Sequence, residues 1–146
     1  MSVSNIEERM ENAYSTLLAN VSSLSAYPRY LGFGTDVIAQ PNIQIVISNS
    51  KPEVAGCQIM TGNWNLNVEI TVESNTKDTT RSTHEQIFAT VKDAILTDDL
   101  VTNLNATGQN LGVMLVTPTG VNRSVSSDHA RKSTLTLETF SMTTSG

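Results

Sequence analysis

From Trp64 to Glu73 the chain places an apolar side chain at every second position. Trp64, Leu66, Val68, Ile70 and Val72 alternate with Asn65, Asn67, Glu69, Thr71 and Glu73. A period of two sustained over that length predicts a long strand with one face buried and the other wet or paired elsewhere. A polar run from Ser74 to Arg81 follows, and Ser82-Thr83-His84-Glu85 then opens a helix carrying Ile87, Phe88, Val91, Ala94 and Ile95 on one stripe. A sheet with a single apolar face needs a layer to cover it. The expected class is therefore α+β: a mainly antiparallel sheet of four to five strands, packed on one side by an N-terminal helix and this central helix.

The covering N-terminal helix is written in Ile6, Met10, Ala13, Leu17, Val21 and Leu24, which recur every three or four residues. With Ser4 and Glu7 as a capping box, the pattern predicts about five turns, fraying over 22–26. Tyr27-Pro28-Arg29-Tyr30-Leu31-Gly32-Phe33-Gly34 reads as a loop on its Pro and Gly content. Its Tyr27, Tyr30 and Phe33 are candidate partner anchors, or else a lid over the core.

Ile43 to Ile47 predicts a second strand, antiparallel to the first. Lys51-Pro52 and Gly56 are expected to break it, leaving an extended hairpin arm with Cys57, Ile59 and Met60 on the way to Trp64. Thr97-Asp98-Asp99 should stop the central helix and cap a short third one through Leu104. Leu111 to Val116 is an apolar strand expected to end at Thr117-Pro118-Thr119-Gly120, before the alternation Val121, Arg123, Val125. Leu135 and Leu137 lie on one parity but Phe140 and Met142 on the other, so a β-bulge is expected near Glu138-Thr139.

The chain of 146 residues has the size of one domain, 1–146, with no internal repeat and no domain boundary. Its net charge of -5 and pI near 4.9 argue against a binder of the nucleic-acid backbone, which needs clustered Lys and Arg. An acidic surface would instead let DNA pass without sticking. With one cysteine, Cys57, there is no intrachain disulfide, and the residue is expected to act as a small buried hydrophobe. Without an apolar stretch of spanning length or a leader-like N-terminus, a reducing interior is the expected setting.

Catalytic or metal chemistry finds little support. His84 and His129 belong to no metal-binding spacing, and no cofactor is implied. His84, in the first turn of the central helix, is expected at the surface. Asp128-His129 is an acid–imidazole pair that Cys57 could in principle complete as nucleophile, yet adjacent strand residues point to opposite faces. The acids Asp98 and Asp99 suit the start of a helix through its macrodipole.

The order of these elements resembles the tail terminator (tail completion) proteins of tailed bacteriophages. The likeness lies in the N-terminal amphipathic helix, the Ile43 strand, the Trp64–Glu73 strand and Asp78-Thr79-Thr80-Arg81-Ser82-Thr83-His84 leading into a helix. It continues through Leu111 to Val116 and a last strand from Arg131 to Met142. The resemblance implies a non-enzymatic virion protein of the neck or tail, assembled in the host cytoplasm. Such a protein forms a hexameric ring that caps the tail tube, stops its polymerisation and meets the head-neck connector proteins. DNA would be passing cargo only, and no membrane is involved. Ring contacts would come from protruding segments: Tyr27, Tyr30 and Phe33; Cys57, Ile59 and Met60; and Arg123 and Arg131 in the excursion from Gly120 to Ser133. The alternatives are another neck or tail-tube component, or a small-ligand-binding or hydrolytic α+β domain using Cys57, Asp128 or His129.

Overall fold

The computed structural model describes residues 5–32, 39–55 and 58–143, with the side chains of 53–62 and 143 outside the description. Five strands form one sheet: β1 (Arg29–Leu31), β2 (Asn42–Ala55), β3 (Gln58–Asn75), β4 (Leu111–Val125) and β5 (Ala130–Thr143). Their spatial order is β1-β2-β3-β5-β4, with β1 parallel to β2 and every other pairing antiparallel. The helices are α1 (Ile6–Ala19), α2 (Arg81–Ile95) and α3 (Leu100–Asn105), with a short 3-10 turn at Ser22–Leu24. This is the α+β architecture the alternation predicts.

Strand parity separates the two faces. Ile43, Ile45, Ile47, Leu66, Val68, Ile70, Val72, Leu135 and Leu137 are buried against Met10, Ala13, Tyr14, Leu18, Phe88 and Val91 of the helices. The intervening residues form a polar face held by cross-strand bonds. Thr71 and Thr134 hydroxyls meet at 2.8 Å, the Asn65 amide donates to Glu138 at 2.6 Å, and the Gln44 amide donates to Glu73 at 3.1 Å. Opposed polar pairs of this kind stabilise the ladder while leaving that face hydrophilic.

Polar side chains of the helices complete backbone pairing that the sheet leaves open. Next to a register shift between Ile47 and Asn49, the Ile47 N–H finds the Glu11 carboxylate at 3.0 Å. At the β4 edge of the sheet, Asn105 of α3 behaves as a peptide unit. Its Oδ1 accepts from Val113 N at 2.6 Å and its Nδ2 donates to Val113 O at 3.1 Å. The guanidinium of Arg9 joins α1 to the α3–β4 connection through the carbonyls of Gln109 and Asn110.

Several local expectations are corrected. The first helix spans 14 residues, about 21 Å long, and its N-cap is Asn5 without a side-chain cap bond. Ser4 lies outside the described residues, and Glu7 accepts from the Ser50 hydroxyl instead. The second helix starts one residue early, at Arg81, and Thr80 caps it by accepting from Thr83 N. Lys51-Pro52 does not break β2: Pro52 sits opposite Trp64, and only the register shifts, between Pro52 and Glu53. Tyr30 lies within strand β1 rather than in a loop.

The bulge expected near Glu138-Thr139 is displaced. The pairing of β3 with β5 runs unbroken from Asn63 opposite Met142 to Asn75 opposite Ala130, so Leu135, Leu137, Thr139 and Ser141 all face inward. The extra residues are Met114 and Thr119 on β4, at the shifts between Val113 and Leu115 and between Pro118 and Gly120. A bulge absorbs one residue and resets parity. Thr117 to Gly120 therefore bends the strand without ending it.

Candidate functional site

Two features of the β4–β5 side stand out. The first is the outer edge of β4, which pairs with no further strand among the described residues, Val113 alone being met by the Asn105 amide. Six large hydrophobic residues are exposed among the described residues: Leu96, Met114, Leu115, Val121, Val125 and Met142. Four lie on β4. Met142 is paired opposite Gly112 of β4, and Leu96 shares an apolar cleft of about 280 Å³ with Leu115, Val116 and Pro118. The register puts Val121 and Val125 on the helix-bearing parity and Leu115 and Met142 on the other, so apolar side chains are exposed on both faces beside an edge strand, where a partner strand or subunit can cover them.

The second is a groove of about 320 Å³ between the start of α2 and the β4–β5 hairpin, lined by Arg81, His84, Glu85, Arg123, Ser124, Val125, Arg131, Lys132 and Ser133. The register puts Arg123 opposite Ser133 and Val125 opposite Arg131, so these side chains share the helix-bearing face. Arg123 pairs with Glu85 of α2. Arg131 Nη1 donates to the Thr79 carbonyl at 2.6 Å, and Lys132 reaches Glu73 at 3.5 Å. Arg81 has no ion-pair partner among the described residues. Both ion pairs have an exposed basic member, so they hold side chains in place more than they stabilise the fold.

Beneath this groove lies His84, and its place overturns the surface position expected for it. It is 1% exposed, with Nδ1 at 2.6 Å from Ser74 Oγ and Nε2 at 3.0 Å from Ser133 Oγ. A neutral imidazole offers one donor and one acceptor, and two hydroxyls complement it in either tautomer. Burial pushes its pKa below the ordinary value; Glu85 works against that shift, and Arg131 and Arg123 work with it. His84 is a structural pin between β3, α2 and β5.

The residues expected from the sequence are distributed unevenly. Arg123 and Arg131 come together in the basic groove. Tyr27 is partly buried against the core, in a shallow recess with Leu24, Thr83 and Ile87. Tyr30 sits opposite Gln44, on the polar face. Ile59 and Met60 are paired with Val54 and Glu53 in the two-stranded arm beyond the end of β5, with side chains outside the description. Phe33 and Cys57 lie outside the described residues.

Asp128 and His129 occupy the exposed turn after β4, where His129 takes φ 67° and Asp128 contacts the Ser126 hydroxyl. Among the described residues no three His, Cys, Asp or Glu side chains are placed to hold a metal, and no helix is long and apolar enough to cross a membrane. Sequence reasoning missed Arg81, Lys132 and the apolar edge. The edge was signalled by Val121 and Val125, whose alternation continues past Gly120, but Pro118 was read as a stop. No protein-family model and no curated protein matches this chain.

Proposed function

We propose that this chain is a structural protein of a tailed-phage neck or tail, acting as a tail terminator: a hexameric ring that caps the tail tube, ends its polymerisation and joins tail to head. One observation carries the reading. Four of the six exposed large hydrophobics of the described residues lie on β4, an edge strand with no outer neighbour among those residues, and the other two, Leu96 and Met142, lie beside it. A protein built to act alone blunts such an edge, whereas one completed by other subunits keeps it. The two-stranded arm of residues 53–55 and 58–60 and the polar face of the sheet, uncovered among the described residues, give further surfaces for subunits above, below and beside it. The order of elements, which resembles the terminator proteins, supplies the specific assignment.

In this reading the chain performs no catalysis and needs no cofactor or metal. Its partners are copies of itself, the tail-tube protein and the head-neck connector proteins, and its place is the virion. DNA crosses the ring as cargo, and the net charge of -5 opposes its retention on the ring. The test is capping of growing tubes. Added to polymerising tail-tube protein of the same phage, the chain should halt elongation and leave a ring at the tube end. Tubes that lengthen unchanged, with no added density at their tips, overturn the assignment. A chain that copolymerises along the tube would make it a tube component instead.

A further inference from the structure

We propose that the basic groove receives carboxylates of a second copy of this chain, so that copies meet head to tail and not groove to groove. The inference rests on the ring reading above and names a contact which that reading leaves open. Arg81, Arg123 and Arg131 are three of the nine basic residues of the chain, and Glu85 is the one acid among the described residues that line the groove; Lys132 borders it, but its ammonium lies on the polar face at Glu73. The rest of the chain therefore holds six basic residues (nine less three) and thirteen acidic ones (fourteen less one). The remainder of a second copy is therefore acidic on balance. A second groove offers it only like charge.

The geometry gives this imbalance a consequence. A bare edge strand invites pairing with its own copy across a twofold axis, the commonest symmetry of homo-oligomers. Arg123 lies on that edge strand, and Val125 opposite Arg131 joins the groove to the apolar strip. A twofold contact made through this end would set the cations of one groove against those of the other, and juxtaposed like charges suppress wrong pairings. A contact between unlike surfaces relieves the conflict, and it is the kind that closes a ring. Glu85 already engages Arg123, which leaves Arg81 as the cation best placed for an incoming carboxylate.

The experiment is sedimentation velocity on the full chain across a salt series, with Arg81→Glu as the variant. It is paired with carbodiimide coupling of a mixture of light and isotope-labelled protein. Self-association should weaken about tenfold or more between roughly 50 and 500 mM salt, as screening shortens the reach of the attraction. Arg81→Glu should weaken it comparably at low salt. In an Arg81→Lys variant the new groove amine should couple to carboxylates of the other isotope, whereas Lys132, on the polar face, should couple to Glu73 of its own chain.

Rings that form with unchanged strength in Arg81→Glu and at high salt overturn the groove contact while leaving the ring reading intact. Monomers at every concentration in low salt overturn self-docking, and the ring reading then stands or falls on tube capping alone. A DNA duplex that binds the wild type at low salt, but not Arg81→Glu, overturns the inference in favour of a nucleic-acid partner.

Discussion

Burial holds the His84 imidazole below its ordinary pKa and pushes the Glu11 carboxyl above its own, so these two residues bend the stability profile in opposite directions. As pH falls through the ordinary histidine value of 6.5, the unfolded chain takes up a proton that native His84 refuses. Stability then drops until the native imidazole protonates in turn. For Glu11 the native carboxyl protonates first. Its contribution is greatest at low pH and declines as pH rises from the ordinary 4.5 through the raised native value. His84→Leu should cost about 1–3 kcal/mol at neutral pH by leaving the Ser74 and Ser133 hydroxyls unpaired. It should also remove the loss of stability just below pH 6.5. Glu11→Gln keeps an acceptor for Ile47 N and should flatten the decline above pH 4.5. Chemical denaturation across pH checks both, and an unchanged profile in either variant contradicts the assigned cause.

Elements here are joined to the sheet by side chains that imitate backbone. Asn105 is the clearest case, with both amide atoms on Val113 just before the Met114 bulge. Asn105→Ala should destabilise the fold by about 1–3 kcal/mol and raise amide exchange at the start of β4 before the rest of the sheet opens. Exchange that rises uniformly would show that α3 does not hold this edge. The long strands and the amphipathic helices were legible in the sequence because their periods, two and 3.6, come from burial on one face. Caps and bulges were less so. Ser82 reads as the helix start with Glu85 completing its capping box, whereas Thr80 caps the helix and Glu85 is engaged by Arg123 instead. The parity conflict in the last strand was real, but nothing local says that the partner strand β4 carries the extra residues. His84 was misplaced because its neighbours, Ser74 and Ser133, come from two strands, Ser133 far off in sequence.

At the scale of the whole molecule, the sheet is covered on one side by helices, polar on the other, and unfinished along β4. Imaging of the assembled protein shows whether that unfinished edge joins subunits. Purified chain is imaged at low salt beside a Leu115→Lys, Val121→Lys double variant. Both side chains are largely exposed, so lysine costs little in the folded monomer, and melting should move by no more than a few degrees. The account predicts sixfold rings for the unaltered chain and separate, folded subunits for the variant. Rings of the same size from both proteins would contradict it, since β4 would then take no part in assembly.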